Sequence, residues 1–210
     1  MADLTKISWM VQEGNFKEVE RLTREALGEG RSAEDILNGG LIEGMSVIGE
    51  RFKRNECFVP AVLLAARAMK TGMALLRPIL VDTGVEFIGR VVLGTVQGDQ
   101  HDIGKNLVGM MLEGAGFEVI DLGADTPSET FVEMARKKKA DIVGMSALLT
   151  TTMPSMKTTI EALKSAGLTV KTMIGGALVT QRFADEIDAD AYGKDAAVAV
   201  ERAKELIGRK

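Results

Sequence analysis

The stretch from Gly98 to Asn106 reads GDQHDIGKN, and its His101 is the one histidine in a chain of 210 residues. A neutral imidazole binds a transition metal through one ring nitrogen while the other donates a hydrogen bond, commonly to a carboxylate that fixes the tautomer and raises ligand basicity. Asp99, two residues before His101 in the same glycine-flanked turn, is placed to be that carboxylate. The single cysteine, Cys57, cannot close an internal disulfide, and one thiol with one imidazole cannot build a zinc site of the usual Cys/His kind. Cys57 therefore reads as a small buried hydrophobe. With one strong nitrogen ligand from the protein, a metal held here would need its remaining ligands from a macrocycle, which spacing alone does not name.

Other chemistries find less support. The glycine turn lacks the G-x-G-x-x-G of a dinucleotide site, and no G-x-x-x-x-G-K-[ST] phosphate loop occurs. His101 could serve as a base toward Ser146 or one of Thr150, Thr151 and Thr152, but no G-x-S-x-G elbow presents a nucleophile.

Two kinds of element must position these residues. From residue 3 to about 80 the apolar positions recur every three or four residues, the period of amphipathic helices. Four helices are expected: about 3 to 12; from Gly14 or Asn15 to a stop at Gly28 and Gly30; from Ser32 to about Arg54; and from Pro60 to about Leu76, ending before Pro78. From residue 89 onward short β-branched runs alternate with helix-length segments, the signature of a parallel sheet with crossover helices. The strands are RVVLGTV, FEVIDLG, DIVGMSA, TVKTMIGG and ADAYG; the helices start near Ile103, Ser128, Pro154, Val179 and Lys194.

The expected class is an α+β two-domain protein. A four-helix cap bundle (1–80) and a linker (81–88) precede a five-stranded, Rossmann-like or flavodoxin-like domain (89–210). In such sheets ligands bind outside the carboxyl ends of the strands. The loops carrying His101, Ser146 and the pair Gly175-Gly176 all belong to that end.

Net charge of -4 argues against broad attraction to nucleic acid or an anionic membrane. The longest apolar runs, VPAVLLAARAM and IVGMSALL, are shorter than a membrane span, and MADLTKISWM lacks the layout of a signal peptide. A cytoplasmic protein is expected. The RKKKA run at 136–140 reads as a solvated helix end whose cations suit the dipole, and the twelve methionines read as gap fillers rather than ligands.

Asp99-x-His101-x-x-Gly104, then Ser146-x-Leu148, then Gly175-Gly176 resembles the D-x-H-x-x-G, S-x-L, G-G signature of the methionine-synthase-type cobalamin-binding family, in order and at that family's spacing. The segment GERFKRNECFVPAVLLAARAM resembles the cap module that precedes this fold in methionine synthase and in small corrinoid proteins of methyl-transfer systems, so the resemblance spans nearly the whole chain. Gln100 departs from it, standing where a small or β-branched residue is common.

The resemblance implies a bound corrinoid, cobalamin or a related cobamide, whose lower base leaves cobalt and threads its nucleotide tail into the sheet. By the same resemblance His101 is the lower axial cobalt ligand, Asp99 its hydrogen-bond partner and Ser146 the next link of that relay. Gly104 lets the following helix begin close to the tail, Gly175 and Gly176 leave room for it, and Leu148 lines its channel. Phe52, Val59 and Val62 match apolar residues over the corrin's upper face. The implied function is to carry a methyl group on cobalt between a substrate-specific methyltransferase and a second one serving tetrahydrofolate, a pterin or a thiol. A reductive-activation protein is the third implied partner, and no catalytic residue is assigned to the chain alone. The rival readings are a non-corrinoid flavodoxin-like binding or signalling module and the cobalamin-binding subunit of a mutase; D-G-H-D-R-G would suit the latter better. A cobalamin-dependent regulator would bring a basic DNA-binding segment, which is missing here.

Overall fold

The computed structural model describes residues 3–83 and 87–209. The chain divides into two compact units, Met1–Phe87 with Gly114–Gly116, and Ile88–Glu113 with Phe117–Lys210.

The first unit is helical. Helices α1 (Leu4–Gln12) and α2 (Phe16–Gly28) start at side-chain caps, where Asp3 accepts from the Thr5 amide and Asn15 from the Glu18 amide. Ser32 caps α3 (Ala33–Ile36), which passes through a π-helical stretch, Leu37–Ile42, into α4 (Glu43–Lys53). The expected third helix thus carries an internal change of winding. A Cβ on Gly40 would stand 3.0 Å from Ile7 Cγ2, and one on Gly44 would stand 2.7 Å from the Ser8 carbonyl oxygen. These glycines let α1 lie directly on the segment.

The last helix of the bundle, α5 (Val59–Thr83), corrects the expected stop before Pro78. A proline inside a helix costs about 3 kcal/mol through a lost hydrogen bond and ring clash. Burial of Leu76 and Leu80 on either side of Pro78 offsets it. The same helix corrects the expectation that no segment approaches a membrane span: Val59–Leu80 is long and apolar enough by length and composition. It packs against α2, α4 and α1, burying Val62, Ala65, Met69, Leu76 and Leu80 while Arg67, Lys70 and Arg77 remain exposed. Those outward cations hide its length from a reading of uninterrupted apolar runs. Residues 84–86 of the expected linker lie outside the described residues.

The second unit is a five-stranded parallel sheet in the order β2-β1-β3-β4-β5, built from β1 (Arg90–Thr95), β2 (Glu118–Asp121), β3 (Ile142–Ser146), β4 (Lys171–Gly175) and β5 (Ala191–Gly193). This is the flavodoxin-like order, with its switch point between β1 and β3. Val92, Val143, Met145 and Ile174 share one core with α7 (Ser128–Lys138), α8 (Pro154–Ser165) and α9 (Gln181–Glu186) through Phe131, Met156, Ile160 and Ala184. On the other face, Gly109 of α6 (Ile103–Gly114) lies over Leu93, and α10 (Ala196–Leu206) packs on β4 and β5.

Candidate functional site at the carboxyl ends of β1, β3 and β4

The turn after β1 is tied to the next strand, since the Val96 amide donates to the Ser146 carbonyl oxygen at 3.0 Å. Gly98, with φ +86°, supplies the left-handed bend that reverses the chain. Asp99 then turns toward the loop after β3 and is 0% exposed. Its Oδ1 accepts from the His101 amide at 3.0 Å and faces His101 Nδ1 at 2.8 Å. Its Oδ2 accepts from the Leu148 amide at 2.7 Å, the Leu149 amide at 3.2 Å and Thr152 Oγ1 at 2.7 Å.

Burial by itself pushes the Asp99 carboxyl up, but the bonds from Thr152, the His101 and Leu148 amides and the His101 ring outweigh it and hold the group well below the usual carboxylate range. An ionised carboxylate can only accept. In the neutral ring Nδ1 therefore carries the proton and donates, and Nε2 keeps its lone pair. The His101 side chain is 52% exposed.

The structure brings the three motif segments together at one end of the sheet. Ser146 ends β3, and its side chain is not among the partners of Asp99, whose Oδ2 is taken by Thr152 and the two leucine amides. Leu148 meets Asp99 through its N–H. Gly176, with φ +136°, lies against the β3 loop: a Cβ there would stand 1.9 Å from the Ala147 carbonyl oxygen, and one on Gly175 would stand 2.9 Å from that of Gly193. Close backbone approach thus requires glycine at both positions, a reason independent of any ligand. Nothing lies within 4 Å of a Cβ built on Gly104.

In the bundle, Phe52 is half-buried, Val59 is exposed at the start of α5, and Val62 has no exposed surface. Beside Val62 in sequence, the exposed large apolar side chains are Phe58, at 72%, Val59, Leu63 and Leu64. Two further features escaped the sequence reading. Thr152 is joined to Asp99 across 53 residues, and the only sequence signal was the threonine run it ends. Ile103 (84% exposed) at the start of α6, Leu149 after β3 and Leu178 after β4 put one bare apolar side chain behind each of the three strands.

Among the described residues no group of three or more His, Cys, Asp or Glu side chains could hold a metal ion. One imidazole nitrogen beside bare apolar side chains instead fits a metal whose other ligands arrive in an apolar-edged ring. A cleft of about 610 Å³ elsewhere in the second unit, lined by Arg136, Lys139, Asp141, Lys171 and Arg209, contains none of the motif residues.

Residues 89–201 match the family model described as a B12 binding domain, and residues 4–77 match a second model with the same description. The chain belongs to the B12-binding family. This corrinoid protein is 42% identical to a corrinoid protein of Desulfitobacterium hafniense, over 100% of this chain and 99% of that one. It is 43% identical to dimethylamine corrinoid protein 3 of Methanosarcina acetivorans, over 99% and 100% respectively. Its fold superposes on a chain of the methanol:cobalamin methyltransferase complex of Methanosarcina barkeri with a TM-score of 0.89 at 30% identity, covering 97% of this chain and 79% of that one. The cofactor is a corrinoid, and membership of a methyltransferase system goes with it.

Proposed function

We propose that the protein carries a methyl group between a substrate-specific methyltransferase and a second methyltransferase, with His101 Nε2 as the lower axial ligand of the corrinoid. The observation that carries this reading is the buried, ionised Asp99 holding the one imidazole of the chain by Nδ1. When bound, the corrinoid supplies a cobalt centre that takes up and gives back a methyl group.

The residues of this chain do the rest. Asp99 keeps the ring proton on Nδ1, and Thr152 with the Leu148 and Leu149 amides keeps Asp99 ionised. Ile103, Leu149 and Leu178 offer apolar surface to the macrocycle, while Gly104 leaves the start of α6 open to the cofactor's tail. In the helical unit, Phe52, Val59 and the neighbouring Phe58 are the apolar residues available to shield a bound methyl group from water.

The named relatives support the partner assignment: a dimethylamine corrinoid protein and a chain from a methanol methyltransferase complex. The acceptor of the second enzyme is tetrahydrofolate, a pterin or a thiol. A reductive-activation protein restores centres lost to oxidation, and we place the whole system in the cytoplasm.

The test is reconstitution with cobalamin followed by electron paramagnetic resonance of the reduced, one-unpaired-electron form. The parent should bind one equivalent and show hyperfine coupling to an imidazole nitrogen, and His101→Ala should bind but lose that coupling. Methyl transfer from dimethylamine, trimethylamine or methanol, each with its methyltransferase, should follow the same order. A parent protein without imidazole coupling would overturn the reading.

A further inference from the structure

His101 stands between two points at which another segment holds its loop. That segment, the end of β2 and the loop running from it to α7, belongs to none of the three motif parts. Upstream of His101, the Gly98 amide donates to Asp125 Oδ1 at 2.7 Å, and the Asp125 amide donates back to the Asp99 carbonyl oxygen at 2.9 Å. Asp125 adopts φ +52°, a left-handed conformation that aspartate tolerates better than most residues. Downstream, Lys105 Nζ donates to Asp121 Oδ1 at 2.5 Å and to Asn106 Oδ1 at 2.7 Å. Asn106 Nδ2 in turn donates at 3.0 Å to Asp102, the residue after His101.

Lys105 is an expensive residue in this place. Its side chain is 0% exposed, and burying an ammonium is unfavourable unless it is paired. It also lies in the first turn of α6, where the helix dipole disfavours a cation. Its partner Asp121 is itself anchored, accepting from the Gly123 amide at 2.9 Å, and the Gly123 carbonyl oxygen accepts from the Thr95 amide at 2.9 Å. The bonds therefore run from the end of β1 through the β2 loop to both flanks of His101.

We propose that Asp125 and the Lys105–Asp121 pair are positioning residues for His101, a two-point clamp that sets where its ring stands when it meets the cofactor. This rests on the proposed role of His101 as the axial ligand. Asp99 orients the ring within the loop, and the clamp fixes the loop relative to the sheet.

Because the chain has one histidine, nitrogen-15 labelling of histidine reports a single ring. The variants are Asp125→Ala and Lys105→Met, with Asp125→Asn as the conservative rescue because it keeps the Oδ1 acceptor. In the cofactor-free protein, Asp125→Ala and Lys105→Met should exchange the Nδ1 proton with water about tenfold faster than the parent, because a loop released on one flank of His101 opens the Nδ1–Asp99 bond more often. Asp125→Asn should stay near the parent. In the corrinoid-loaded protein, the first two should keep stoichiometric binding but show a smaller fraction with imidazole coupling.

Unchanged Nδ1 exchange in a folded Asp125→Ala protein overturns the clamp. Faster exchange with an unchanged imidazole fraction overturns it as well, since the cofactor would then be ordering the ring by itself. A parent that lacks imidazole coupling defeats the carrier function instead, and the Nδ1 measurement alone then decides the clamp.

Discussion

Asp99 shows how one residue can be legible in sequence while its energetics are not. Five hydrogen bonds converge on a carboxylate that water does not reach. Its folded-state pKa lies below the ordinary value of 3.8, so the stability these bonds confer is complete above about pH 4 and is lost as pH falls toward the folded value. Asp99→Asn removes that dependence: urea midpoints measured from about pH 5 down to pH 2 should fall more steeply for the parent than for the variant, and parallel slopes would contradict the assignment. Thr152→Val removes a single donor to the same charge, keeps the shape, and should cost about 1.5–3 kcal/mol at neutral pH by urea denaturation. The D-x-H spacing made the His101 contact readable. Thr152 was not, because its bond spans 53 residues and depends on how the β3 loop folds back.

Elements were readable where local pattern and tertiary packing agree. All five strands and the parallel, doubly wound class follow from β-branched runs at regular intervals, whereas the choice of the flavodoxin-like order over the Rossmann one rests on strand pairing that no local pattern carries. The π-helical stretch at Leu37–Ile42 and the continuation of α5 through Pro78 did not follow, because both depend on what packs beside them: Ile7 and Ser8 against the glycines, Leu76 and Leu80 around the proline. Gly175 and Gly176 were found by motif, yet the strongest structural reason for them is the contact of the β4 turn with its neighbours. Gly176→Ala puts a methyl 1.9 Å from a carbonyl oxygen at φ +136°, so the turn must move away from the β3 loop. The expected result is a loss of about 3 kcal/mol or more in chemical denaturation even without cofactor, an overpacking cost joined to backbone strain. If the glycines served only to leave room for a ligand, the cofactor-free variant would be as stable as the parent.

At the scale of the whole molecule, the three loops that would meet a corrinoid come from strands far apart in sequence, so a ligand bound across them links segments that the cofactor-free chain joins through Asp99 between the β1 and β3 loops and through close backbone approach between the β3 and β4 loops. A ligand that binds only the native state adds RT ln(1 + [L]/Kd), about 2.7 kcal/mol at a hundredfold excess over Kd. For a chain of 210 residues that corresponds to a rise in Tm of roughly 5–11 °C. His101→Ala gives up one axial bond to the cofactor and also the Nδ1 donor to buried Asp99, so its cofactor-free Tm should fall and, at equal cobalamin, its rise above that lower value should be smaller than the parent's. Hydrogen exchange should place the added protection at residues 98–104, 146–152 and 175–180, the three loops together. Protection confined to one of these loops would mean that the ligand does not bridge them, and an equal Tm rise in parent and variant would remove the axial bond from the binding free energy.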